Sequence, residues 1–124
     1  VLETARRANE LVESARDRTI SPADLQGGTF TVTNFGAVGG EYGTPIVNYP
    51  EAAILGLGAI KKKPRVVETD ESGAGDGVSG EVVPRHVLTL SLSFDHRIAD
   101  GADAARFVNA VKAYLRDPEL LLLA

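Results

Sequence analysis

The segment VLTLSLSFDHRIADGADAARFVNAVKAYLR, residues 87–116, carries the clearest structural pattern in the chain. Apolar and small polar residues alternate from Val87 to Phe94, which is the period of a half-buried β-strand. The last part of the segment has apolar residues three and four positions apart, as in an amphipathic α-helix. These are Ala104, Phe107, Val108, Val111, Tyr114 and Leu115. The pattern predicts a strand, a turn over 95–101 and a helix that closes at Asp117-Pro118.

Three further elements are predicted nearer the beginning of the chain. Residues 1–18 repeat the helical spacing and carry charges on the opposite face, which predicts a solvated amphipathic helix. Ser21-Pro22 is typical of a helix cap followed by proline at the first helical position, and Gly27-Gly28 ends that short helix. Thr29 to Thr33 alternates threonines with Phe and Val, which predicts a strand.

The middle of the chain is rich in glycine and in short apolar runs. The run 51–60 contains two glycines, which fit a buried strand with close backbone approach better than a helix. We expect Lys61-Lys62-Lys63-Pro64 to end this element. Residues 65–68 and 81–83 predict two short strands, with an acidic, glycine-rich and mobile hairpin loop over 69–80 between them.

Composition restricts the classes of function. The 124 residues include 44% hydrophobic and 24% charged residues, which is typical of a globular protein. With 13 Lys+Arg against 17 Asp+Glu the net charge is −4, which argues against a nucleic-acid partner. The longest apolar stretch, Leu120 to Ala124, is too short to span a bilayer, so no membrane partner is expected. Without cysteine and with two histidines, the chain has no thiol nucleophile, and no metal site is expected.

His96 is the strongest candidate for chemistry. It lies at the end of the predicted strand and is followed four positions later by Asp100 and then by Gly101. Imidazole, with an ordinary pKa near ~6.5, is the natural general base at neutral pH. From spacing alone the alternatives stay open, because a histidine at a strand end is often structural and Asp100 could be a helix N-cap.

Two weaker features carry less information. Lys61-Lys62-Lys63 could meet phosphates, but a solvated turn is the better interpretation. His86 is expected at the start of a strand, and no chemistry is assigned to it.

Ser91 to Gly101 closely resembles the active-site signature of the dihydrolipoamide acyltransferases, the E2 cores of the 2-oxo acid dehydrogenase complexes. Its HxxxDG pattern is met by His96, Asp100 and Gly101. Three more family landmarks occur in the right order: Gly27 to Gly36, Pro50 to Gly56, and Asp117-Pro118 with the leucines that follow. Four ordered landmarks are specific where HxxxDG alone would be weak.

The resemblance implies a fold. It implies the chloramphenicol-acetyltransferase-like two-layer α/β sandwich, in which a mixed sheet packs on helices. Residues 1–124 correspond to the C-terminal half of the family's catalytic domain, without a clear internal domain boundary. The first half, the lipoyl domain and the peripheral-subunit-binding domain are absent from this chain.

The resemblance also implies an activity, the transfer of an acyl group from a dihydrolipoyl thioester to coenzyme A. By that analogy His96 removes the proton of the coenzyme A thiol and Asp100 orders the His96 loop. Thr33 matches the hydroxyl residue that stabilises the oxyanion; without the resemblance it would be an ordinary strand threonine. Coenzyme A is then a substrate, and the lipoyl group sits on a domain outside this chain.

Partners follow from the same resemblance. The family forms homotrimers with the active site between subunits, and many trimers assemble into hollow cubic cores through the apolar C-terminus. E1 and E3 components bind through the absent domains, and the enzyme is expected to be cytoplasmic. Residues 35–45 favour the branched-chain type, with the pyruvate dehydrogenase E2 as the alternative. A lipoyl-thioester binder without catalysis and a structural core fragment without activity of its own are the remaining rivals.

Overall fold

The computed structural model describes residues 1–68 and 80–123. Its longer helices are α1 (Leu2–Arg16) and α2 (Gly101–Arg116), and α3 (Leu120–Leu123) is a single turn. Two 3₁₀ turns cover Pro22–Leu25 and Gly36–Val38. The strands are β1 (Phe30–Asn34), β2 (Ala53–Leu57), β3 (Lys61–Glu68), β4 (Gly80–Val87) and β5 (Leu90–Phe94).

The strands form two sheets. One has three strands in the order β1-β2-β5, and the other is the antiparallel hairpin of β3 and β4. The chain divides into two compact units: residues 1–31, 47–53 and 94–124 form the first, and residues 32–46 and 54–93 the second. Each unit is assembled from separate stretches of chain, so no single point in the sequence divides them.

The first unit contains the long helices. Both have apolar residues at helical spacing, as the sequence predicts. Exposed side chains form ion pairs on both, such as Arg6 with Glu10 on α1 and Arg106 with Asp103 on α2. The ring of Phe30 at the start of β1 lies 5.5 Å from that of Phe107 on α2. This aromatic pair joins a strand end to a helix face within the unit.

Among the described residues, the two large apolar side chains that are buried, Ile54 and Leu55 on β2, belong to the second unit. A Cβ added to Gly56 would lie 2.5 Å from the Phe35 ring, and one added to Gly36 would lie 2.4 Å from the backbone of Gly58. These glycines are required by close approach. The prediction of a buried strand with glycines at tight contacts is therefore confirmed.

The strand boundaries differ from the prediction. Lys61-Lys62-Lys63-Pro64 does not end an element but begins β3, because Lys61 pairs with Val87 and the register continues to Glu68 opposite Gly80. Pairing with a distant strand outweighs the polar local composition here. The predicted strand from Val87 to Phe94 is likewise divided: Val87 ends β4, and β5 begins at Leu90.

Two other expectations fall on the hairpin. His86 lies near the end of β4, opposite Lys62, rather than at a strand start. The predicted loop over 69–80 lies outside the described residues except for Gly80, which is in β4.

One face of this hairpin is exposed and partly apolar. Pro64 pairs with Pro84, and next to them Val66 pairs with Val82. The two valines are 66% and 63% exposed. Among the helices of the described part, none is long and apolar enough to cross a membrane.

Candidate active site

His96 lies in the turn that follows β5. The strand ends at Phe94, residues 96–98 form the turn, and the His96 side chain is exposed. The ring centroids of Phe94 and His96 are 5.6 Å apart, with 33° between the ring planes. The imidazole thus follows a strand end, as the sequence predicts, and it lies beside an aromatic ring.

Asp95 builds the turn that carries His96. Its backbone N–H donates to the Ala52 carbonyl (2.9 Å), and its own carbonyl accepts from the N–H groups of Ile98 (3.0 Å) and Ala99 (3.3 Å). Its carboxylate accepts from the backbone N–H of Arg97 (2.9 Å) and from the Arg97 guanidinium, the shortest of these bonds being 2.6 Å from Nη2. The side-chain and backbone hydrogen bonds of Arg97 lower the pKa of Asp95 to about 2.

Asp100 is the N-cap of α2. Its carboxylate accepts from the N–H groups of Ala102 (2.8 Å) and Asp103 (2.9 Å), and Asp103 completes a capping box. These bonds satisfy helix donors that have no partner within the helix. Over residues 1–68 and 80–123, Asp100 makes these hydrogen bonds and none of the ion pairs, and its ordering of the His96 loop stays a prediction.

Thr33 lies in β1 and is half-buried. Two positions earlier on the same strand face, the hydroxyl of Thr31 donates to the Glu51 carboxylate at 2.5 Å. Glu51 also accepts from the Asn48 amide at 3.4 Å. Within the described part of the chain the Thr33 hydroxyl makes no comparable bond, so it is available to another acceptor. The structure places Thr33 in the second unit, and His96 and Asp100 in the first.

A second carboxylate with a lowered pKa lies in the second unit. Glu41 accepts from Nζ of Lys61 at 2.9 Å and from Nζ of Lys63, which also donates to the Tyr42 hydroxyl at 3.0 Å. Hydrogen bonds lower the pKa of Glu41 to about 2, and the bond from Lys63 contributes more than the bond from Lys61. Lys61 and Lys63 are therefore paired with a carboxylate and do not form a solvated turn.

Sequence reasoning missed the roles of Asp95 and Glu41. For Asp95 a signal exists, because an aspartate at the start of a turn readily accepts the N–H two residues later. For Glu41 none exists in the local sequence, since its partners are 20 and 22 positions away.

Comparison with known sequences identifies relatives along the whole chain. A family model, the 2-oxoacid dehydrogenases acyltransferase (catalytic domain), matches residues 1–123. The chain is 47% identical over 124 residues to the dihydrolipoyllysine-residue acetyltransferase component of the pyruvate dehydrogenase complex of Acholeplasma laidlawii, covering 100% of this chain and 21% of that protein. The chain is 42% identical over 123 residues to the component of the same name from Bacillus subtilis, and this match covers 99% of this chain and 25% of that protein. The chain thus spans about a quarter of the length of these relatives or less.

Solved structures agree. The chain matches the cubic core of a pyruvate dehydrogenase multienzyme complex with a TM-score of 0.78 and 40% identity, over 98% of this chain and 45% of that one. It matches the dihydrolipoamide acetyltransferase of Azotobacter vinelandii with a TM-score of 0.77, 40% identity and the same coverage. In that protein the catalytic roles of a serine, a histidine and, four positions after the histidine, an asparagine were investigated.

These matches bear on two predictions. They confirm the α/β fold class, a mixed fold with sheets packed against helices as in E2 catalytic cores. They do not support the branched-chain assignment drawn from residues 35–45, because the relatives described above belong to pyruvate dehydrogenase complexes. In this segment Gly40 and Gly43 lie close to Phe35, and Glu41 accepts from Lys61.

Proposed function

Because this chain belongs to the family of 2-oxoacid dehydrogenase acyltransferase catalytic domains, we propose that it forms part of the E2 component of a pyruvate dehydrogenase complex. The reaction is transfer of an acetyl group from a dihydrolipoyl thioester to coenzyme A. The observation that carries this proposal is the exposed His96 imidazole on the turn built by Asp95, inside the segment that resembles the family signature. The proposed domain assignment for residues 1–124 is the C-terminal half of the catalytic domain.

His96 supplies the base in this reaction. A thiol with an ordinary pKa near ~8.5 is mostly protonated at neutral pH, so a positioned imidazole assists directly. The imidazole takes the thiol proton of coenzyme A, and the thiolate attacks the carbonyl carbon of the acetyl thioester. The tetrahedral intermediate then collapses, the carbon–sulfur bond to the dihydrolipoyl group breaks, and the leaving sulfur takes the proton from the imidazolium.

Thr33 donates a hydrogen bond to the oxyanion of that intermediate. Its hydroxyl is half-buried on β1, and the neighbouring Thr31 hydroxyl is already occupied by Glu51. The serine investigated in the Azotobacter vinelandii enzyme supports a hydroxyl group in the reaction. Asp100 stands four positions after His96, as the asparagine of that enzyme stands after its histidine, and we assign it the capping of α2 at the end of the His96 turn.

The proposed assembly is a homotrimer with the active site between subunits, one subunit supplying His96 and its neighbour Thr33. A cubic core built from trimers is the larger assembly, as in the matched core structure. The C-terminal helix α3 is a candidate contact in that core, because Leu122 is 77% exposed. The lipoyl group and the E1 and E3 components are reached through domains outside this chain.

The first test replaces His96 by alanine in the intact protein that carries this chain. Loss of the base is expected to lower acetyl transfer to coenzyme A by ~10²–10⁴-fold. The control is His86→Ala on β4, which removes the other histidine at an exposed position and should leave the rate unchanged. A His96→Ala rate close to that of the parent enzyme would reject the proposed function.

The second test compares two substitutions of Thr33. Thr33→Ser keeps the hydroxyl and should have a mild effect. Thr33→Val keeps the shape and removes the donor, which should reduce kcat by ~10²–10³-fold, the range for loss of one oxyanion donor. Both rates are measured with acetyl-dihydrolipoamide and saturating coenzyme A. If the serine and valine variants were equally active, the hydroxyl would have no part in the reaction.

A further inference from the structure

We propose that Asp95 is a positioning residue for His96: it fixes the backbone of the turn so that the imidazole is held in one place for proton transfer. This inference rests on the proposed function, because it assigns Asp95 a role only through His96. Asp95 itself touches neither substrate in this proposal. Neither the HxxxDG motif nor the family match specifies how the chain holds its base.

Asp95 forms hydrogen bonds with the segment before β2 and with the residues that follow His96. Its backbone N–H ties the turn to Ala52, immediately before β2, at 2.9 Å. Its carbonyl accepts from Ile98 and Ala99 beyond His96, which closes the turn. Its carboxylate accepts from the N–H of Arg97, so the residues before and after His96 are bonded to each other.

The side chains of the pair are unequal in exposure. The Asp95 side chain is 21% exposed, whereas that of Arg97 is 85% exposed. Arg97 folds back onto Asp95 through Nε (3.0 Å to Oδ1) and Nη2 (2.6 Å to Oδ2). Asp95 is therefore the fixed member of the pair, and the guanidinium closes over it from solvent.

The chemistry of the pair requires a carboxylate rather than any short polar residue. The backbone N–H of Arg97 and the guanidinium together present more donors than one amide oxygen can accept in this geometry. A carboxylate accepts on both oxygens, and hydrogen bonds to a charged acceptor are about twice as strong as neutral ones. Asparagine retains one acceptor for the Arg97 N–H and loses the charge. Alanine loses the turn bond and the ion pair together.

The experiment measures kcat and the KM for coenzyme A in the intact protein for Asp95→Ala and Asp95→Asn. A base displaced by about 1 Å can cost ~10²-fold in rate, so Asp95→Ala should lower kcat by ~10–100-fold with KM nearly unchanged. Asp95→Asn should give an intermediate kcat, because one acceptor remains. Asp24→Asn is the matched control: it removes an aspartate–arginine pair of the same unit, at 3.3 Å, that lies on no part of the His96 turn.

A double-mutant cycle separates the possible outcomes. If Asp95 acts through His96, adding Asp95→Ala to His96→Ala should cause little further loss. An equal loss in both backgrounds, or a parent-like kcat in Asp95→Ala, would overturn the positioning role. If Asp95→Ala fails to fold, Asp95→Asn decides, and a parent-like kcat there would overturn the role as well. A parent-like rate in His96→Ala alone would instead reject the proposed function, so the two failures are distinct.

Discussion

Asp95 and Glu41 are two carboxylates in similar electrostatic states but in very different structural settings. Each has its pKa lowered to about 2 by a basic partner, and their side chains are 21% and 20% exposed. Asp95 bonds to Arg97, two positions away, whereas Glu41 bonds to Lys61 and Lys63 across 20 and 22 positions. The first shapes a turn, and the second fastens a glycine-rich loop to a strand.

The difference shows that a lowered pKa does not by itself identify a reactive site. Asp95 is next to the candidate base, whereas Glu41 bonds to Lys61 and Lys63, to which no role in the reaction is assigned. Through its ion pairs with Lys61 and Lys63, Glu41 connects the loop after β1 to the start of β3. The comparison therefore predicts that changes near Glu41 alter stability and that changes at Asp95 alter turnover.

The largest loss of stability near Glu41 is expected from a steric clash at Gly58. A methyl group added at Gly58 would lie 2.3 Å from the Glu41 carbonyl oxygen, so the backbone must shift. Gly58→Ala should lower the free energy of unfolding by about 1–3 kcal/mol, the usual cost of overpacking. Thermal unfolding of the intact protein measures this loss.

Gly101 provides the matched control from the His96 side. It begins α2, and a methyl group added there meets no atom of the chain within 4 Å. Gly101→Ala should be neutral or slightly stabilising, because alanine restricts the unfolded chain and favours helix. Equal destabilisation by the two alanine variants would contradict the claim that close backbone approach distinguishes the Glu41 region.

Glu41→Gln is expected to lower stability by a smaller amount, which depends on pH. Since the pKa of Glu41 is lowered from 4.5 to about 2 in the folded state, its stabilisation is fully present above pH 4.5 and is lost as the pH falls towards 2. The parent should therefore unfold at a higher temperature than Glu41→Gln at pH 7, and the gap should narrow between pH 4.5 and 2. Differential scanning calorimetry across this range checks the sign.

Lysine variants and a turnover measurement serve as controls for Glu41→Gln. Lys63→Gln should reproduce the destabilisation at pH 7, whereas Lys62→Gln should not, since Lys62 is exposed on the other face of β3. Turnover in Glu41→Gln should equal that of the parent. A fall in kcat as large as that of Asp95→Ala would end the distinction between the two carboxylates.

The sequence predicts those parts of the fold that depend on local periodicity. Helices α1 and α2 and strand β1 follow from spacing alone, and α2 ends at Arg116 directly before Asp117-Pro118 as predicted. The β3–β4 hairpin follows only in part, as short strands over 65–68 and 81–83, because Lys61-Lys62-Lys63 has the composition of a turn. It becomes a strand only when paired with residues 85–87, more than twenty positions away.

The residues of the candidate site likewise divide into those that the sequence identifies and those that need the structure. His96 stands out because it follows a well-patterned strand, and Asp100 caps a helix, which its position before Gly101 also suggests. The bond from the Arg97 N–H to Asp95 has a local sequence signal, whereas the backbone bond of Asp95 to Ala52 needs three-dimensional information, since it joins two segments far apart in sequence. Only the family resemblance distinguishes Thr33, because periodicity cannot separate it from Thr31, whose hydroxyl is bonded to Glu51.

The facing prolines of the hairpin have a consequence for self-association. Proline has no N–H to offer a neighbouring strand, and an antiparallel proline pair fits where the backbone nitrogens point away from each other, towards the outer edges. Pro64 and Pro84 thus remove a donor from both edges of the ribbon at the same level. A further strand approaching either edge finds a gap in its ladder there, which protects the ribbon from edge-to-edge growth into aggregates. The exposed Val66–Val82 pair lies directly beside this interruption.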